Sequence, residues 1–250
     1  MTNTIYTNNM ISVCIATYNG EKYIREQLNS ILSQLRSNDE VIISDDGSTD
    51  TTLDIVNSYH DSRIKVFHHD STIVTTTFPL DKPTHNFEYA LKQAKGDIIF
   101  LSDQDDVWME GKVDTMLAEL QDADFAIHDC VVFDDDMDVV KQPSYFDFAG
   151  IHKGVWRNWY KSTYLGCCMA FRREVAEKAL PFPKTMVAHD LWLGIIADRF
   201  FRTKIVRRKL IRYRKHANSK TTSGGRSRYG LWFKLRYRMT ILRHIIRLYL

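Results

Sequence analysis

Residues 97–108 read DIIFLSDQDDVW: an apolar run followed at once by three carboxylates, Asp103, Asp105 and Asp106, within four positions. A short apolar run bounded by turn-forming residues marks a buried strand. The acids therefore stand at a strand exit, where open α/β sheets hold their ligands. Carboxylates this crowded repel one another, and a divalent cation relieves the repulsion. Mg²⁺ and Mn²⁺ take oxygen ligands and bind through one or two carboxylates together with substrate phosphates. The stretch predicts a metal–diphosphate site. Taken alone, an Asp-x-Asp triplet is more readily a solvated polar loop, so the rest of the chain has to decide.

Upstream, 11–17 (ISVCIAT) reads as a buried first strand, with a turn at Tyr18, Asn19 and Gly20 and a helix over 21–35. A second strand at 40–44 runs into the acidic turn DDGSTD at 45–50, where Gly47 suits positive φ and Ser48 or Thr49 can cap the helix that runs to about residue 60. A third strand at 64–68, a Thr-rich loop over 70–83, and a helix over 86–95 stopped by Gly96 complete the first half. The order β-α-β-α-β-α-β implies a parallel sheet with right-handed crossovers. Polar turns follow strands one, two and four, so they should gather at the carboxyl edge.

Downstream, the pattern predicts a helix over 112–120, a strand over 125–133 interrupted at His128 and Asp129, and a hairpin turn at 134–138. Residues 144–165 are aromatic and irregular, either a small core under a loop or a stacking platform for a sugar. A strand over 166–171, helices over 173–180 and 188–201, and a basic strand over 204–213 follow. The Ser/Thr/Gly-rich stretch 218–227 reads as irregular, and 231–250 as a closing helix. Residues 1–217 are expected to form one domain, and 218–250 a basic C-terminal segment.

The chain has 250 residues, 44% hydrophobic and 12% aromatic, enough for a sizeable core. Cys14, Cys130, Cys167 and Cys168 make neither a C-x-x-C pair nor a zinc spacing, which suggests reduced thiols in a cytosolic protein. The N-terminus lacks a signal-peptide layout, and no uncharged apolar run reaches the roughly 18 residues of a spanning helix. Residues 199–250 hold 17 of the 34 Lys and Arg and no Asp or Glu. Such asymmetry suggests a tail that meets an anionic surface.

Four ordered landmarks carry a resemblance: SVCIATYNG at 12–20, EVIISDDGSTDTT at 40–52, GDIIFLSDQDDVW at 96–108, and GCCMAFRRE with AHDLW at 166–174 and 188–192. The chain resembles the family 2 glycosyltransferases, and SDQDDVW, HDLW and YRKH look most like the bacterial rhamnosyltransferase-like branch. The resemblance implies a GT-A fold: an α/β, Rossmann-like, mostly parallel central sheet flanked by helices, here with a basic amphipathic C-terminal helix. It implies inverting transfer of a sugar from a UDP- or dTDP-sugar, dTDP-rhamnose among them, to a glycan or lipid-linked acceptor in surface polysaccharide synthesis.

The same resemblance assigns roles. Thr17 and Tyr18 line the base pocket, and Asp45 or Asp46 accepts the pyrimidine N3–H. A carboxylate there selects uracil or thymine over cytosine, which lacks that donor. Asp103 and Gln104 belong to donor binding. Asp105 is the direct ligand of Mn²⁺ or Mg²⁺, with Asp103 in the ribose or metal shell and His216 as a third ligand or diphosphate contact. Asp106 orients the loop, and Trp108 packs below it. Arg212, Arg214 and Lys215 reach the diphosphate or form a solvated basic face. Gly166 allows close approach of backbone and substrate. Asp190 is the base that takes the acceptor proton. His189 stands where the family commonly has Glu, either shaping the acceptor site or packing.

On a helical wheel, Arg236, Arg243 and Arg247 form one stripe of the tail, and Leu231, Leu235, Met239, Leu242, Ile245, Ile246 and Tyr249 a broad apolar face. Residues 226–250 therefore fit a basic amphipathic helix lying on an anionic membrane, or a helix packed on its own domain. The expected location is cytoplasmic, at the inner face of the membrane, and nucleic acid is not an expected partner. Two other readings stand beside this one. A nucleotidyltransferase would want a Gly-rich basic loop after strand one, which TYNGEKY matches poorly. A non-catalytic sugar-nucleotide or membrane-binding module would bind donor without turnover.

Overall fold

A computed structural model of the chain describes residues 9–70, 78–184, 186–216 and 230–250. The proposed boundary at 217/218, the stretch 218–227 and residues 71–77 of the loop at 70–83 lie outside the described residues. The first half follows the sequence reading closely. Strands β1 (Ile11–Thr17), β2 (Glu40–Asp45), β3 (Ile64–His68) and β4 (Ile98–Asp103) lie in the order β3-β2-β1-β4, all parallel. β1, β2 and β4 are buried almost throughout, as expected of parallel strands covered on both faces. Their register is what builds the site. Thr17 pairs with Asp45 and Ala16 with Asp103, so three polar strand ends come level at one edge.

Helices α1 and α2 are shorter than their apolar spacing suggested, and α3 is longer. α1 runs Ile24–Leu32 and buries Ile24, Leu28 and Ile31; the chain enters it through a turn in which Tyr23 N and Ile24 N both donate to Gly20 O. α2 spans Thr52–Asn57. α3, expected from residue 86, instead begins at Asp81 and runs to Gln93. Pro83 misled that reading, for it sits in the first turn, where its missing N–H leaves no bond unmade. Gly96 is likewise no simple helix stop. It lies against β1 and donates its N–H to Ser12 Oγ at 2.7 Å, and a Cβ there would stand 2.6 Å from the carbonyl carbon of Ile11.

Beyond β4 the sheet becomes mixed. β5 (Val107–Trp108) is a two-residue strand that the sequence did not announce, and it pairs antiparallel with β9 (Thr203–Arg214). After α4 (Lys112–Glu119), β6 (Phe125–Phe133) runs parallel to β9, and the expected interruption at His128 and Asp129 is a register shift between the two strands. β7 (Val140–Gln142) closes the hairpin on β6. The stretch 144–165 is not irregular. It holds α5 (Tyr145–Ala149), whose Ser144 side chain caps Asp147 N, and α6 (Val155–Tyr160). Its aromatics divide: Tyr145, Phe146 and Tyr164 are core, while Trp156 and Tyr160 face outward.

The strand expected over 166–171 is split into a 3₁₀ turn at Gly166–Cys168 and β8 (Met169–Arg172), wedged antiparallel between β4 and β6. Helices α7 (Arg173–Ala179), α8 (His189–Phe200) and α9 (Leu231–Arg247) follow. Phe125 and Phe171 stack across β6 and β8, their rings 5.8 Å apart and 8° from parallel. Burying such a ring contributes about 1.5–3 kcal/mol. One core runs under both halves, and α9 joins it through Ile241 and Ile245, which are fully buried.

The close approach of Gly96 to β1 has a direct consequence. The atoms a methyl group would meet are backbone, which cannot rotate away. Gly96→Ala is expected to destabilise the protein by about 1–3 kcal/mol, read as a lower urea midpoint with an unchanged m value. An unchanged midpoint would show that β1 and the 94–97 segment part easily.

Candidate active site

The level strand ends are tied to each other by side chains. The Gln104 amide spans the gap between the β1 and β4 turns, accepting from Tyr18 N at 2.9 Å and donating to Tyr18 O at 3.1 Å. Gln104 thus holds the turn after β1 by its backbone and leaves Tyr18 half exposed. Asp45 is fully buried and committed to its own turn. It accepts from Thr17 Oγ1 at 2.9 Å, Ser48 N at 2.8 Å, Ser48 Oγ at 2.6 Å and Gly47 N at 3.1 Å. The Asp46 backbone N donates to Thr17 O at 2.9 Å, and its carboxylate meets His69 Nδ1 at 2.8 Å. Of the two acids, Asp46 therefore keeps an oxygen for a ligand. The contact of His69 with Asp46 depends on β3 pairing beside β2, which no local spacing reveals.

Around β4 the acids are pinned from the far end of the chain. The β5–β9 pairing lays 211–216 along the 103–108 turn. Arg214 is buried, donating from its backbone N to Asp106 Oδ1 at 3.0 Å, from Nε to Asp105 O at 2.8 Å, and from its other nitrogens to Asp135 O and Glu26 Oε2. His216 Nε2 meets Asp105 Oδ2 at 2.7 Å, and its ring stacks on Tyr23 with centroids 5.4 Å apart. Arg212 lies over the Phe133 ring and donates to Met137 O at 2.7 Å. Arg212 and Arg214 are thus neither a solvated face nor diphosphate contacts; they brace the acidic turn and the β6–β7 hairpin.

Beneath the turn sits a buried charge cluster. Ligand atoms of Asp103, Asp106 and Cys167 lie within 4.8 Å of one another. Asp106 is almost fully buried, and its Oδ2 lacks a hydrogen-bond partner of ordinary geometry. Burial, and after it the neighbouring carboxylates, push both Asp103 and Asp106 above the usual range. Lys112 supplies one fixed positive charge. It is fully buried, with Nζ donating to Cys167 O at 2.9 Å and lying 4.1 Å from the Trp108 ring centre. Burial lowers its pKa to about 8. Trp108 indeed packs below the loop, with Nε1 donating to Ser102 Oγ at 3.2 Å.

A divalent cation suits this place, because an orphaned buried carboxylate oxygen and crowded acids are the groups such a charge would satisfy. Asp103 and Asp106 offer hard oxygens of the kind Mg²⁺ and Mn²⁺ take. Asp106, expected only to orient the loop, is thereby a ligand candidate beside Asp105. Asp105 and His216 form their own pair next to this cluster.

The other wall is the start of α8. Asp190 lies in its first turn, where the helix dipole favours a carboxylate, and accepts from Leu191 N at 2.6 Å. Burial raises its pKa to about 6, and its charge in turn acts on Asp103. His189 packs: its ring stacks on Phe87 at 4.2 Å, and burial pushes its pKa down to about 3. Gly166 faces this pair rather than open space, since a Cβ there would stand 2.6 Å from His189 Nε2. His128 and Asp129 belong elsewhere. Asp129 accepts from Ser144 Oγ at 2.6 Å and Phe146 N at 2.8 Å, and so anchors α5.

The sequence pattern that defines Glycosyl transferase family 2 matches residues 12–180. An uncharacterised glycosyltransferase from Nostoc sp. is 27% identical over 219 residues, covering 82% of this chain and 65% of that protein. The dTDP-rhamnosyl transferase RfbG of Shigella flexneri is 34% identical over 122 residues, 48% of this chain and 37% of that one. The chain therefore spans less than two thirds of these relatives' length. Among solved structures, residues 1–349 of Staphylococcus aureus TarS, in complex with UDP-GlcNAc, superpose with a TM-score of 0.68 at 23% identity, covering 92% of this chain and 66% of that one. The fold is GT-A.

The raised pKa of Asp190 carries a stability cost of known sign. Between about pH 4 and 6 the unfolded chain gives up a proton that the folded one keeps, so this group's contribution falls as pH rises through that window. Asp190→Asn is therefore expected to raise the melting temperature at pH 7.5, by about 1 kcal/mol of stability after allowing for partial exposure, and to bring no gain at pH 4. Equal effects at both pH values would show that Asp190 ionises as freely folded as unfolded.

Proposed function

The chain belongs to glycosyl transferase family 2, and on that premise we propose that it transfers a sugar from a UDP- or dTDP-activated donor to a glycan or lipid-linked hydroxyl. The supporting observation is the placement of Asp190, a carboxylate with a pKa near 6, across from the acidic turn of β4. In this reading Asp46, oriented by His69, accepts the pyrimidine N3–H, while Thr17 and the Tyr18 ring line the base pocket. Gln104 positions that pocket through the Tyr18 backbone. Asp103 and Asp105, with Asp106 below, hold the diphosphate end of the donor together with Mn²⁺ or Mg²⁺. Such an ion, when bound, stabilises the charge that builds on the leaving diphosphate.

Asp190 accepts the proton of the acceptor hydroxyl as that oxygen bonds to the anomeric carbon. The bond from that carbon to the donor phosphate oxygen breaks as the new one forms, giving inversion by a single displacement. Similarity to RfbG supports a dTDP-sugar such as dTDP-rhamnose, and the TarS likeness a UDP-sugar. Surface polysaccharide assembly at the inner face of the bacterial cytoplasmic membrane is the setting that fits such a reaction.

Two experiments test this reading. Asp105→Ala and Asp190→Asn should each lower transfer by about 10²-fold or more with circular dichroism unchanged, and wild-type kcat/KM should rise with pH through about 6 as Asp190 ionises. Full activity in either variant removes that residue from the mechanism. In thermal-shift titrations, UDP or dTDP with Mn²⁺ should stabilise the protein while CDP does not. Asp46→Ala should abolish the preference. Stabilisation by all three nucleotides alike would remove Asp46 as the base selector.

A further inference from the structure

We propose that α9 and the outer face of α6 together form a docking surface for an anionic lipid bilayer. α9 is not a free amphipathic tail. Its inner face is seated on the domain: Ile241 and Ile245 are buried, Phe233 and Tyr237 lie against Phe78, and His244 meets the Trp192 ring edge-on at 6.1 Å. That face accounts for only part of the helix's apolar surface. At 100° per residue, Leu231, Leu235, Met239, Leu242, Ile246 and Tyr249 fall on a second stripe that turns away from the core. Trp232 beside it is 83% exposed. Arg236, Arg243 and Arg247 border this stripe on one side, and Lys234 and Arg238 on the other.

α6 widens the surface. The Trp156 ring stacks on Tyr249 with centroids 6.0 Å apart. The Arg238 guanidinium lies 4.7 Å from the Tyr160 ring centre and donates to Tyr160 O at 2.9 Å. Trp156 and Tyr160 are 52% and 64% exposed. The result is an apolar strip with aromatic side chains along it and basic groups at both edges.

Charge decides the occupant. Residues 231–250 carry five basic side chains, Lys234, Arg236, Arg238, Arg243 and Arg247, and no acid. A second copy meeting this face to face would set arginines against arginines. An acidic soluble partner would satisfy the arginines and leave the apolar strip unmatched. An anionic bilayer satisfies both: aliphatic side chains enter the acyl boundary, Trp and Tyr sit at the headgroup level, and the basic groups reach lipid phosphates. Among the described residues no helix is long and apolar enough to cross a membrane, so α9 lies along the surface. α9 touches α8 at Trp192, two residues after Asp190, so the lipid-facing helix braces the helix that carries the candidate base. The surface itself stands whether or not the chain transfers sugars.

The full chain would be floated with vesicles of phosphatidylcholine alone or with about one third phosphatidylglycerol. Binding should need the anionic lipid, weaken with added salt, and shift tryptophan emission to the blue, a shift reduced in Trp232→Phe and lost when Trp156→Phe is added. Leu235→Glu with Ile246→Glu, and separately Arg236→Glu with Arg243→Glu, should each reduce partitioning by on the order of tenfold or more, with melting temperature unchanged because these side chains face solvent. No binding to anionic vesicles, or equal binding to neutral ones, overturns the proposal. A wild-type dimer that Leu235→Glu dissociates, without vesicle binding, would overturn it in favour of self-association.

Discussion

Four carboxylates, Asp103, Asp105, Asp106 and Asp190, are gathered where water is scarce, and like charges under those conditions repel strongly. Much of the surrounding structure answers that repulsion. Lys112 is buried beneath the cluster, Arg214 threads through the turn by backbone and side chain, and His216 pairs with Asp105. Burial is the main cause of the raised carboxyl pKa values, and repulsion from neighbouring carboxylates adds to it at Asp103 and Asp106. Surplus negative charge of this kind would attract a cation.

The two halves of the sheet divide this work. The parallel half brings Thr17, Asp45 and Asp103 level and ties the turns with Gln104 and Asp46–His69. The mixed half supplies what presses on them: β9 delivers Arg214 and His216, the 3₁₀ turn carries Cys167, and α8 presents Asp190. Both halves rest on long-range contacts: Tyr18 and Gln104 are 86 positions apart, and Asp106 and Arg214 are 108. The last helix, α9, joins the same core through Ile241 and Ile245. It packs behind α8, through Trp192 and His244.

Strands β1, β2 and β4 were legible almost to the residue, because parallel strands covered on both faces read as apolar runs. The aromatic region at 144–165 was not. Its helices are five and six residues long, too short to show a period, and their stability comes from what they pack on. Pro83 hid the start of α3, and a two-residue strand such as β5 leaves no pattern at all. Within the site, Asp103, Asp105 and Asp190 could be named from their motifs, whereas His69, Lys112 and Cys167 could not.

By itself, the sequence determined the α/β order, the acidic turns after β2 and β4, and the charge imbalance of the tail, since each depends on residues adjacent in the chain. Only the tertiary structure decided which acid does what. Asp45 and Asp46 are neighbours of identical chemistry, yet one is consumed by Thr17 and Ser48 while the other faces His69. Asp106 differs from Asp105 because β9 takes one of its oxygens and buries the other. Hydrogen-bond satisfaction and burial depend on partners brought from distant parts of the chain, and no local pattern of residues encodes them.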